Sequence, residues 1–140
     1  MRVVGIDFGQ KRIGVAISDP LCITAQPVTV IAKAETFSED IEALKQTMSQ
    51  YDGIEEIVVG LPKTMKGEIG ISAQKVQEFV EALRQGLDIK ILTYDERLTT
   101  AAVEKTLISA GLSRQKRKKV IDKSAATFLL QSYLDTRKKP

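Results

Sequence analysis

The chain has 140 residues, 43% of them hydrophobic and 28% charged, enough to bury a core, and residues 1–140 read as a single domain. It has no histidine and one cysteine, Cys22, which excludes Ser-His-Asp and Cys-His triads, an internal disulfide and most zinc sites. The formal net charge is +3, no apolar run approaches the ~18 residues of a membrane span, and Met1-Arg2 leads into apolar sequence without a signal-peptide pattern, so a cytoplasmic protein without a membrane partner is expected.

Val3, Val4 and Ile6 read as a strand over residues 3–7 that ends on Asp7, Gly9 marks a turn, and the run from Arg12 to Ser18 returns as the second arm of a hairpin. A carboxylate at the mouth of a hairpin demands a cation, a donor or water, because burying it unpaired is costly. An isolated Asp-x-Gly is more often a turn cap, so Asp7 gains meaning only from the acids found later. A third extended piece covers Val28 to Ile31, with Pro27 suited to a sheet edge. Thr36 and Glu39 make a capping-box pattern, and Phe37, Ile41, Leu44, Met48 and Tyr51 follow at helical spacing up to Gly53.

Ile57, Val58 and Val59 form a continuous apolar strand bounded by Gly60 and Pro62, as expected of a strand covered on both faces. The Gly- and Lys-rich segment 60–71 reads as a loop but not as a Walker A motif, since Lys63 precedes Gly67 and Glu68 follows it; Lys63 and Lys66 are candidates for phosphate contact. Ser72 is expected to cap a helix carrying Val76, Val80, Leu83 and Leu87. Ile89 to Tyr94 make a fifth strand that runs into Asp95-Glu96-Arg97. Thr99 or Thr100 is the expected cap of a helix with Val103, Thr106, Leu107 and Ala110 on one face and Gly111 at its end. Arg114, Lys116, Arg117, Lys118 and Lys119 then read as a basic loop. A last helix is expected to open near Asp122 and to turn Ala125, Phe128, Leu129 and Tyr133 to the core.

The resulting order, βββαβαβαα, predicts an α/β fold with a mixed five-stranded sheet flanked by helices. Its first, fourth and fifth strands can lie parallel, so their carboxyl ends share the edge where open α/β sheets bind ligands. Asp7, Asp95, Glu96 and Asp122 all fall near that edge. Carboxylates from distant positions, in a chain without histidine, describe a site for a hard cation such as Mg²⁺ or Mn²⁺. Two such ions suit in-line displacement at a phosphodiester, which is nuclease chemistry. The basic clusters at 114–119 and 137–139 match a polyanionic partner, nucleic acid.

Gly5-Ile6-Asp7-Phe8-Gly9 with Arg12-Ile13-Gly14-Val15-Ala16, Val59-Gly60-Leu61-Pro62, Asp95-Glu96-Arg97-Leu98-Thr99-Thr100 and Asp122-Lys123-Ser124-Ala125-Ala126 together resemble the bacterial YqgF/RuvX family through nearly the whole chain. The resemblance implies an RNase H-like fold and a nuclease that matures the 5′ end of precursor 16S rRNA, with ribosomal particles as further partners. It also implies a metal site of Asp7, Glu96 and Asp122 holding two ions, with Asp95 as an outer or alternative ligand. Strand alternation places Asp95 and Glu96 on opposite sides. Where the related resolvase RuvC has a carboxylate on its fourth strand this chain has Gly60, so Glu96 must fill that place. Lys66 stands before Gly67 where the family commonly has an acid. Arg12, Arg97 and Lys119 are candidates for steadying the scissile phosphate. Three other readings stand beside this one. Resolution of Holliday junctions would require a dimer. An actin-like or sugar-kinase ATPase shares the opening motif but needs two such domains. A non-catalytic RNA-binding ribosome-assembly factor could retain the fold.

Overall fold

The computed structural model describes residues 1–62 and 70–137, the side chains of 98–104 and 118–123 excepted. Among the described residues, five strands form one sheet: β1 (Arg2–Phe8), β2 (Arg12–Ser18), β3 (Ala25–Ala32), β4 (Ile54–Leu61) and β5 (Lys90–Asp95), in the order β3-β2-β1-β4-β5. The first three make an antiparallel meander, and β4 and β5 run parallel to β1. The helices are α1 (Phe37–Met48), α2 (Ile71–Gly86), α3 (Glu96–Ser109) and α4 (Arg114–Arg137). This is the mixed α/β sheet that the element order predicts. No helix among the described residues is long and apolar enough to cross a membrane.

Alternation along the strands sorts the core into two layers. On one face Val4, Ile6 and Phe8 of β1 and Ile57, Val59 and Leu61 of β4 pack against α1 and α2 through Leu44, Val76, Phe79 and Leu83. Phe79 lies flat on Phe8 with ring centroids 4.1 Å apart, and Phe37 meets both rings edge-on. On the other face Val3, Ala16 and Val58 pack against Ala126, Leu130 and Leu134 of α4. The apolar run of β4 is thus explained by burial on both sides. Among the described residues β3 pairs with β2 alone, and Pro27, opposite Ala16 beside a register shift, sits on this edge strand.

The second half of α4 is fastened at several points. Buried Glu56 of β4 accepts the Tyr133 hydroxyl and pairs with Arg137 at 3.3 Å. Burial and the adjoining Glu56 carboxylate push the Tyr133 hydroxyl up to about 12, which keeps it a donor. Gln131 accepts from the Ala25 amide at 2.9 Å and donates to the Ile23 carbonyl at 3.0 Å, tying the same helix to the start of β3. Between these ties the helix approaches the sheet closely over Gly5: a Cβ there would lie 2.8 Å from Leu130 Cβ and 3.2 Å from the Ala126 carbonyl oxygen.

Several element ends differ from expectation. Thr36 caps α1 through the Glu39 amide as predicted, but α2 opens at Ile71 behind Gly70, leaving Ser72 inside the first turn. Glycine is itself a tolerated N-cap. α3 opens at Glu96, capped by the Asp95 carboxylate on the Arg97 amide, so Thr99 and Thr100 lie within the helix instead of before it. Aspartate is the stronger cap, and it stands directly where β5 ends. The basic segment is the start of α4 instead of a loop: the Ser113 hydroxyl accepts from the Lys116 amide at 3.3 Å, and Arg and Lys are good helix formers. Asp122 lies within the α4 span, two residues before the kink at non-helical Ser124 (φ −123°, ψ 17°), so the second helical segment opens close to where the last helix is expected. Gly111, at φ +80°, ends α3 as expected.

Replacing Gly5 with alanine forces its Cβ into a helix that Glu56 and Gln131 hold in place. The Gly5→Ala variant should lose about 1–3 kcal/mol of stability. Thermal unfolding would register this as a midpoint lower by several degrees.

Candidate active site

Asp7 continues the row Val3–Gly5–Asp7 on the α4 face of β1 and is half-buried. Its antiparallel partner is Gly14. A Cβ on Gly14 would lie 3.4 Å from Ala126 Cβ and 3.7 Å from Asp7 Cβ, so β2 leaves open space between the carboxylate and α4. The matching row on β4 is Glu56–Val58–Gly60, and it ends without a side chain beside the position of Asp7.

Glu96 fills that gap. β5 stops at Asp95, paired with Leu61, and the next residue begins α3. The Glu96 side chain lies over Gly60, where a Cβ would stand 2.5 Å from its Oε1 and 2.9 Å from its Cγ. It hydrogen-bonds to the Asp7 carboxyl. Burial, then the Asp7 charge and hydrogen bond, push Glu96 up to about 7. Two carboxylates this close share a proton or require a cation between them.

Asp95 serves α3 instead. Its carboxylate accepts the Arg97 amide at 3.0 Å and holds the Arg97 guanidinium, with Nη2 to Oδ2 at 2.6 Å. The same ion pair engages Arg97, the candidate for a phosphate. Among the described residues no group of three acidic or cysteine side chains gathers to hold a metal. The side chains of Asp122, Lys118 and Lys119 lie outside the described residues, as do Lys63 and Lys66 altogether. Asp7 and Glu96 offer oxygen donors alone, at the sheet edge and with a charge that needs compensation, and this donor chemistry fits a hard divalent ion.

Two clefts meet at Asp7. One, of about 490 Å³, runs past Glu96 between the β1–β2 turn and the start of α2, with Lys33, Ser72 and Lys75 on its walls. The other, of about 300 Å³, runs between β3 and α4 past Arg12, Gly14 and Ala126. Arg12 thus shares a cleft with Asp7. Arg114, Lys116 and Arg117 lie on the first turns of α4 and line neither cleft, and Arg117 donates to the Leu112 carbonyl at 2.9 Å. Glu96 thus takes the place over Gly60 that the comparison with RuvC implies, whereas Lys33 and Lys75 escape the sequence reading. The two lysines stand singly between apolar patterns, with no local signal that they share a cleft.

A family model described as RuvX, Holliday junction resolvase, matches residues 1–136. A protein of Desulforamulus reducens provisionally named pre-16S rRNA nuclease is 51% identical over 136 residues, covering 97% of this chain and 98% of the relative. A Clostridium perfringens protein of the same provisional name is 50% identical over 135 residues, covering 96% of this chain and 97% of its own. Among solved structures, RuvC of T. thermophilus in complex with Holliday junction substrate superposes with a TM-score of 0.59 at 16% identity, over 98% of this chain and 96% of that one. A sugar-kinase-like protein from Cytophaga hutchinsonii reaches 0.50 at 14% identity, over 74% of this chain and 39% of the larger protein. These likenesses show a fold of the RuvC, RNase H-like kind.

A carboxyl whose folded-state value is raised is favoured in its protonated form, so its contribution to stability is lost as pH climbs from the ordinary carboxylate range through about 7. In metal-free protein the Glu96→Gln variant, which keeps a donor toward Asp7 and removes the charge, should melt on the order of 5 °C higher than the parent at about pH 8. Near pH 5 the difference should shrink. Scanning calorimetry at both values tests this; a variant less stable than the parent at the higher pH would show that the pair does not repel.

Proposed function

Because this chain belongs to the RuvX family and is a nuclease, we propose that it cleaves phosphodiesters in precursor 16S rRNA at the 5′ end, with Asp7 and Glu96 as its central acids. The observation that carries this reading is the meeting of those two carboxylates, over a glycine, at the carboxyl edge of the parallel strands. Mg²⁺ or Mn²⁺, as two ions, would be held by Asp7, Glu96 and Asp122, the last contributed by α4. A divalent ion there would offset charge on the phosphate and lower the pKa of water.

The chain's own residues do the positioning. β1 fixes Asp7 at the end of a strand buried along most of its length, and Asp95, by capping α3, sets the direction in which Glu96 leaves the sheet. Gly60 gives the Glu96 carboxyl its place. Arg12 flanks Asp7 from the second cleft and is proposed to steady the scissile phosphate, with Lys119 of α4 in the same role. Arg97, held by Asp95, is proposed instead as an indirect contributor that keeps the α3 start rigid. The basic first turns of α4, with Arg114, Lys116 and Arg117 outside the clefts, are proposed to bind the substrate strand, as are Lys118, Lys63 and Lys66. Relatives named for precursor rRNA support ribosomal particles as partners and a cytoplasmic site of action.

A second reading has a specific observation behind it, since the matching family model carries the description Holliday junction resolvase. Four-way DNA cut symmetrically needs two active sites and hence a dimer, whereas trimming an RNA end needs one. Cleavage of precursor 16S rRNA, a four-way junction and plain single strands under one metal and salt condition separates the two; preferred cutting of the junction by a dimer would replace the RNA assignment.

The Asp7→Asn variant should lose at least about 10²-fold in cleavage rate, as expected when a principal electrostatic group at the reacting centre is removed, while its melting temperature stays within a few degrees of the parent. Unchanged activity would sink the carboxylate assignment. The Gly60→Ala variant should fold, because the group it displaces is the far end of a flexible side chain, yet cleave at least about tenfold more slowly since Glu96 must move off its seat.

A further inference from the structure

We propose that Lys33 and Lys75 form a phosphate-binding pair in the Asp7–Glu96 cleft, holding a backbone phosphate of the bound strand adjacent to the one that is cut. The proposal rests on the nuclease reading of that cleft and adds to it a subsite outside the carboxylates. Lys33 follows directly after β3, where its amide donates to the Lys11 carbonyl at 3.0 Å and extends the β2–β3 pairing by one residue. Its ammonium stands 4.6 Å from the centroid of the Phe8 ring, and that ring is itself stacked on Phe79. A cation over a fixed aromatic face is held without being neutralised. Lys75 reaches the same cleft from the N-terminal end of α2.

Among the described residues neither ammonium pairs with a carboxylate. The two come from elements far apart in sequence and converge on a space of about 490 Å³, within the range of cavities that take small-molecule ligands. The first turn of α2 carries no acidic residue, so the positive end of its dipole adds to the same side of the cleft. The cleft is therefore divided electrically. Its Asp7–Glu96 end repels a bare phosphate and attracts a cation, and its lysine end attracts a phosphate. A sugar-phosphate strand laid across the division meets both demands with neighbouring phosphates, one near the carboxylates and one between the lysines.

The test is binding of a short fluorescein-labelled single-stranded RNA, followed by fluorescence anisotropy in EDTA across a salt series. The Lys33→Gln/Lys75→Gln double variant should bind on the order of tenfold more weakly at moderate salt, with a log–log salt slope shallower by about 1.4, or about 0.7 for each lysine charge removed from a single strand's phosphates. Lys45→Gln, an exposed lysine of α1 outside both clefts, should leave the slope unchanged. The Lys33→Arg/Lys75→Arg variant should restore it, and all variants should melt like the parent. A parental slope in the Gln double variant, failure of the Arg variant to restore it, or no RNA binding by the unaltered protein would overturn the proposal. Because binding is read without cleavage, a protein that cuts no substrate but keeps a lysine-dependent slope would refute the nuclease reading and leave the phosphate pair standing.

Discussion

Two like charges held side by side are the constraint around which the rest of this molecule is arranged. Asp7 and Glu96 come from the first strand and from the start of the third helix, and their carboxyl groups meet across the sheet edge. Left alone they repel, and burial deprives them of the water that would soften the repulsion. A protein keeps such an arrangement only when surrounding structure holds it and when a proton or a cation completes it. The raised protonation range of Glu96 expresses that incompleteness.

What holds the pair is a set of absent side chains as much as present ones. Gly5 admits α4 against the sheet, Gly14 opens the ground between Asp7 and α4, and Gly60 gives up the volume that Glu96 occupies. Larger residues on these strands would push the helix outward or displace the carboxylate. The closest packing lies just beneath the site, and the ties of Glu56 to Tyr133 and Arg137 lie at the opposite end of the same face. This division lets the second half of α4 serve as a rigid wall, while Ser124 breaks the helix geometry between that wall and the basic first half.

The cleft beside the acids has a second polarity that complements the first. Negative charge concentrates at Asp7 and Glu96, and positive charge at Lys33, Lys75 and the start of α2. Close to one another, such opposed regions discriminate by orientation: a phosphate chain can satisfy them in fewer ways than it can a uniformly basic groove. Arg114, Lys116 and Arg117 of α4 lie outside both clefts, which suits general attraction of a polyanion more than alignment of one bond.

Much of the fold is legible along the chain, because alternation, helical spacing and glycine turns are local signals. The five strands, their parallel centre and the placing of Asp7 and Glu96 at one edge all follow from them. The separation of Asp95 from Glu96 is expected from strand alternation, but its cause is different, since Glu96 leaves the sheet as the first residue of α3. Asp95 becomes a helix cap with an arginine in its grip, and that depends on β5 giving way to α3 without an intervening residue. The basic stretch misleads, since a run of charges reads as solvated loop while its residues are good helix formers behind a serine cap. Local pattern by itself determined the five strands, most of the helices and the placing of Asp7 and Glu96 along one edge. Only the tertiary structure decided that Glu96 rests over Gly60 against Asp7, and that Lys33 and Lys75 face the same cleft. Those juxtapositions join residues dozens of positions apart, and they depend on volumes and distances that strand or helix periodicity does not encode.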